Sequence, residues 1–136
     1  MIPIIDGLKL YGIGFLVFLG IDAIWLGLVA KQFYGKYLGH LLSPTPNFVA
    51  AGIFYLLFIV GILVFAVIPG LKQQSISQAI LLGALFGLIT YATYDLTNLA
   101  TLKNWPVLVT VVDLIWGTVL SASVAGLTTA IAQKIL

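Results

Sequence analysis

Residues Phe48–Ile68 read FVAAGIFYLLFIVGILVFAVI, twenty-one consecutive residues with no charge and with Tyr55 as the one polar handle. At ~1.5 Å of rise per helical residue, such a run crosses a hydrocarbon core of ~30 Å. A strand of a membrane barrel would be shorter and would alternate in polarity. Three more stretches of the same kind lie at Leu8–Ala30, Ser77–Leu99 and Val107–Ala132. Glycine and proline mark the joints between them: Ser43-Pro44-Thr45-Pro46, Pro69-Gly70 and Pro106. Pro106 suits a helix start, where a missing N–H costs no bond. The expected fold is an all-α membrane protein, one domain over residues 1–136, with four transmembrane helices in a compact bundle.

The composition agrees. Of 136 residues, 62% are hydrophobic and 7% charged, where a soluble domain carries about a quarter charged. A mean hydropathy of +1.19 leaves more apolar surface than a small water-facing fold can bury. The charges are six Lys and four Asp, with no Arg and no Glu, a net +2. That is too little to track a phosphate backbone, so no nucleic-acid partner is expected. With no cysteine, thiolate metal sites, thiol catalysis and covalent haem attachment are excluded. The single His excludes a multi-histidine zinc site, three Asp alone make a poor Mg²⁺ or Ca²⁺ site, and no cofactor is expected. The first span is too long for a cleaved signal segment and should remain as a helix.

Four spans put both termini and the 70–76 loop on one face of the membrane, side A. The 31–47 loop and the 100–106 turn then lie on side B. Lys9, Lys72 and Lys134 fall on side A, and Lys31, Lys36 and Lys103 on side B. The lysine bias that orients membrane proteins is therefore tied. Phe33, Tyr34, Tyr37, Leu38, Leu41 and Leu42 make the 31–47 loop too apolar to be solvated. Their helical spacing predicts a short interfacial segment between the first and second helices, with its tyrosines at headgroup level. Gly83/Gly87, Ala23/Gly27 and Ser121/Ala125 are small-xxx-small pairs suited to close helix approach, within the bundle or across a homodimer face.

All six lysines sit at or beyond the span ends, but Asp22, Asp95 and Asp113 sit inside them. An aspartate at a helix centre costs ~2.5–3.5 kcal/mol on insertion. Counted from Lys31, Lys103 and Trp105, all three lie roughly 10–14 Å in from side B by helical rise. Inward-facing, they would share one layer of the bundle. Around them stand Tyr91, Tyr94 and Asn98 on the third span, while the outer spans repeat Asp22-Ala-Ile-Trp25 and Asp113-Leu-Ile-Trp116. Phenol, indole and amide groups are hydrogen-bond donors to carboxylates. No Lys is in the layer to neutralise it, so the site either holds protons or binds a cation, and its aromatic walls suit a cationic ligand.

The run Tyr91-Ala-Thr-Tyr94-Asp95-Leu-Thr97-Asn98-Leu-Ala-Thr101-Leu-Lys103-Asn-Trp105-Pro106 resembles the signature of a bacterial family of uncharacterised four-helix membrane proteins, domain-of-unknown-function family 2177. Asp22-x-x-Trp25-Leu, Phe33-Tyr34…Leu38-Gly39 and Asp113-x-x-Trp116-Gly117 resemble its other marks. The resemblance covers essentially the whole chain. It implies a multi-pass protein of the bacterial cytoplasmic (inner) membrane, and it implies no substrate.

Three functions fit these residues. The first is a pocket of Asp22, Asp95, Asp113, Tyr91, Tyr94, Asn98, Trp25 and Trp116 that binds a proton, a small cation or an amine-bearing amphiphile. Transport of that ligand would favour a homodimer, since one four-helix bundle is thin for a translocation path. The second is a structural or accessory membrane subunit whose polar layer sets helix register. The third is an intramembrane enzyme acting on lipid, for which no nucleophile or oxyanion-stabilising group is evident.

Overall fold

The computed structural model describes residues 2–136, and within them the fold is entirely helical. The first helix, α1 (Ile4–Trp25), runs through a wide π turn at Leu26–Ala30 into α2 (Lys31–Leu38) without a break. After the connection at 39–47, α3 (Phe48–Ile62) passes through a second π turn, Leu63–Val67, into α4 (Ile68–Lys72). Two long helices complete the chain, α5 (Ile76–Thr101) and α6 (Val107–Ile135). The four continuous segments, Ile4–Leu38, Phe48–Lys72, Ile76–Thr101 and Val107–Ile135, are each long and apolar enough to cross a membrane.

Local chemistry accounts for the boundaries. Asn47 caps α3, its side-chain oxygen accepting from Ala50 N–H at 3.0 Å, and Ser75 caps α5 by accepting from Gln78 N–H at 3.0 Å. Such caps satisfy amide groups that have no partner within the helix. Pro106 is the N-cap of α6, one residue ahead of its helical start. Pro69 does not end the second span as expected; the helix continues to Lys72. A proline inside a helix clashes with the carbonyl four residues back. Here that residue is Phe65, within the π turn, whose wider winding makes room for the ring.

Contacts give the topology. Gly14 lies beside Ile59 and Leu63, Phe18 packs on Tyr55, and Gly61 meets Phe86. Gly70 abuts Ala79, and Trp25 stacks on Trp116 while Gly14 nears Thr128. Neighbouring helices are thus antiparallel, in the cyclic order α1, α3–α4, α5, α6. The closest pair is α5 with α6, and small residues allow it. Gly83 faces Ala125, Gly87 faces Ser121 and Gly117 seats the Tyr91 ring. The Gly83/Gly87 pair is therefore used inside the bundle, where close packing and not hydrophobic expulsion holds membrane helices together. Ala23 and Gly27 are exposed.

The bundle closes unevenly. The Leu63–Val67 turn and α4 lie directly against α5 and α6, whereas α3 reaches α5 mainly through the rings of Phe58, Phe86 and Tyr91. Side A is tight and side B is splayed. The outer surface carries Leu16, Ile24, Leu57, Phe65, Leu81 and Ile115, all exposed, as lipid-facing helices require.

At side B the residues expected as a short segment between the first two spans form α2, the direct continuation of the first span. Leu38 packs with Trp105 and Val109, with Phe33, Tyr34 and Tyr37 against them. Trp105 is buried, and its indole N–H donates to Thr110 Oγ1 at 3.0 Å.

Candidate functional site

Splaying at side B leaves two adjoining cavities, of about 700 and about 310 Å³, that share Phe54, Tyr91, Tyr94 and Asp113. The larger is walled by Phe18, Trp25, Tyr55 and Trp116, holds Asp22, and has Lys31, Leu42 and Pro46 around it. Its lining thus comes from every span and from the 39–47 connection. Tyr94 is 57% exposed and Phe54 46%, so the wall between α3 and α5 faces outward.

The three aspartates are all buried: Asp22 is 7% exposed, Asp113 6% and Asp95 0%. Each has a different environment. Asp22 accepts a hydrogen bond at 3.0 Å from the Tyr55 hydroxyl, which reaches across from α3. Asp113 accepts from the Tyr34 hydroxyl of α2. Neither oxygen of Asp95 has a hydrogen-bond partner. Tyr91 shares a cavity lining with Asp22 and Asp113 and stands one turn before Asp95 on α5.

The packing of α5 on α6 pairs two of them. Gly83 opposes Ala125, Gly87 opposes Ser121, and Tyr91 opposes Gly117. Each step of four along α5 is matched by a step of four back along α6. The next rung sets Asp95 opposite Asp113. Thr110, one turn before Asp113, reaches the Asp95 carbonyl at 3.4 Å and ties the rung down. Asp113 lines both cavities, while Asp95 lines neither. The shared depth read from the helical rise thus resolves into a facing pair on α5 and α6 and a separate carboxyl on α1. Among the described residues, no three acidic or histidine side chains converge as a metal site would need.

The aromatic residues are also brought together, in an arrangement of their own. Trp25 and Trp116 stack face to face, centroids 4.4 Å apart and planes 8° from parallel. The repeated Asp-x-x-Trp pattern therefore builds an indole pair, and the carboxylates take their donors from tyrosines instead. Tyr34 packs edge-on against Trp25 at 6.3 Å and Tyr94 against Trp105 at 5.9 Å. Asn98 sits one turn beyond Tyr94 on α5 and does not line either cavity.

Two site residues were not among the sequence candidates. Tyr34 was expected at headgroup level, but α2 continues α1 and turns this phenol inward to Asp113. Tyr55 was visible only as the lone polar group of an apolar span, which is itself a signal, since a buried phenol needs a partner.

The family model described as "Predicted membrane protein (DUF2177)" matches residues 7–130. No curated protein and no solved structure matches the chain. The Asp22 and Asp113 segments and the tyrosines between them fall inside the matched region, as do two of the four spans and most of the other two, and the chain belongs to this family of membrane proteins.

Proposed function

We propose that the chain binds a cationic amphiphile in the side B cavity, with its charged head between Asp22 and Asp113 and its apolar tail along the exposed Phe54–Tyr94 wall. The observation that carries this reading is the cavity of about 700 Å³, which combines two buried carboxyls with a cage of aromatic rings. Aromatic faces attract ammonium groups, the more so when desolvated, and carboxylates inside a bilayer are costly unless they have work to do. Tyr34 and Tyr55 hold the two carboxyls in place from opposite sides, so the head would meet an oriented pair. The splayed α3–α5 wall gives a single-tailed amine a way in from the lipid. We further propose that the host membrane is the bacterial cytoplasmic membrane, and that any transport of the ligand starts from this bound state.

The test is binding of dodecyltrimethylammonium to the protein in nanodiscs, read by tryptophan emission, since Trp25 and Trp116 form one wall of the cavity. Saturable quenching by the cation but not by dodecanol is expected. The double variant Asp22→Asn/Asp113→Asn should lose at least tenfold in affinity. Equal response to the charged and neutral probes would overturn the assignment and favour a structural role for the polar layer.

A further inference from the structure

Within the site, Asp95 is the residue that ligand binding leaves unexplained. It is fully buried, lines no cavity, and neither of its oxygens finds a hydrogen-bond donor. A neutral packing residue would fill that position without the cost of desolvating a carboxyl. The groups around it are few. Across the α5–α6 contact it meets Asp113, whose Oδ1 already accepts from Tyr34 on α2. Tyr91 and Tyr94 flank it on its own helix, and the 102–106 turn contributes Trp105, whose N–H is committed to Thr110. Asp22 and Tyr55 lie on the far side of the site and bond to each other. Among the described residues, Lys31, on α2's first turn, is the one cation lining the larger cavity.

We propose that Asp95 and Asp113 form an occluded carboxyl pair that holds one shared proton, released when a cation occupies the cavity at Asp113. The inference rests on the cation-binding reading above and assigns its coupling. With both groups ionised, two like charges would face each other in a low-dielectric seam, and Asp95 would have no donor at all. With one proton, Asp95 donates its O–H to the Asp113 oxygen that Tyr34 leaves free. Both oxygens of Asp113 then accept and one oxygen of Asp95 is paired, as in other carboxyl dyads that share a proton. A cation at Asp113 replaces the proton's charge. The proton leaves Asp95 through Asp113 into the cavity and out to water on side B, so one positive charge enters as one departs. Asp22, bonded to Tyr55 and outside the pair, takes no part in the exchange.

Two measurements on the protein in nanodiscs decide this. Infrared spectroscopy in neutral buffer should show a protonated-carboxyl C=O band that disappears in Asp95→Asn and in Asp113→Asn and persists in Asp22→Asn. A wild-type spectrum without that band, or a band removed only by Asp22→Asn, overturns the proposal whatever the ligand does. Adding dodecyltrimethylammonium, which has no proton of its own, to weakly buffered protein should release about one proton per bound cation. Asp95→Asn, an isosteric change at a residue that lines no cavity, should release no proton per bound cation, whatever its affinity for the probe. Binding without release in the wild type would refute the coupling and leave the ligand site intact. Absence of binding would refute the ligand site, and the infrared band would then stand or fall alone as evidence for the proton pair.

Discussion

Replacing Gly87 by alanine tests the packing that sets Asp95 against Asp113. A methyl group there would run into the Gly117 carbonyl and come within 2.7 Å of Ser121 Cβ. Ordinary van der Waals contact begins near 3.4 Å, so α5 and α6 must part by close to an ångström at this rung. The Gly117 carbonyl is backbone and cannot swing aside, so the strain passes to the helices. Overpacking of this kind costs about 1–3 kcal/mol. In a bilayer the loss of close contact is itself the loss of the association energy. The Asp95–Asp113 rung is two turns away and should separate as well. Gly20, with nothing within 4 Å of its added Cβ, is the control for the same chemical change without the collision. Reversible unfolding in mixed micelles should give Gly87→Ala a stability at least about 1 kcal/mol below wild type, while Gly20→Ala stays within about 0.5 kcal/mol. The protonated-carboxyl band should weaken in Gly87→Ala alone. Equal stability of the two variants would refute the close antiparallel packing, and with it the pairing of the two aspartates.

Removal of the phenol donors should act locally. Tyr55→Phe leaves Asp22 without its bond and should lower stability by about 1 kcal/mol in the same unfolding assay. Tyr34→Phe should do the same through Asp113 and should also shift tryptophan emission, because Tyr34 lies against Trp25. Trp25→Ala breaks the indole stack and opens the cavity wall, so probe affinity should fall by about tenfold at constant expression, equivalent to about 1.4 kcal/mol. Lys31→Gln removes the one cation beside the larger cavity and should tighten probe binding slightly; weaker binding would mean that Lys31 contacts the ligand directly, through an anionic group.

Much of the fold could be read from the chain because membrane insertion is governed by local hydropathy. Twenty or so apolar residues give a span wherever they lie, and the observed segments cover the four expected stretches. The depth expected for Asp22, Asp95 and Asp113 rests on helical rise alone, and the structure sets Tyr91, Tyr94, Trp25 and Trp116 in one cavity lining with Asp22 and Asp113. Pro69 misled because a proline's effect depends on the turn before it, and a π turn is not coded by any one residue.

What a residue touches across the bundle is a different kind of information. Spacing along one helix places Trp25 near Asp22 and Trp116 near Asp113, yet the two indoles stack on each other and the carboxyls take their donors from Tyr55 and Tyr34. Those partners are 33 and 79 residues away in the chain. The antiparallel register of α5 on α6, set by Gly83, Gly87 and Gly117 fitting against their opposite neighbours, makes a pair of Asp95 and Asp113 and leaves Asp22 apart. Hydropathy and helical rise are sums over neighbours in sequence, so the chain alone determined the spans and which aspartates fall within them. Register and rotamer depend on how four separate helices close around one another, and only the tertiary structure decided which carboxyls face each other and which phenols hold them.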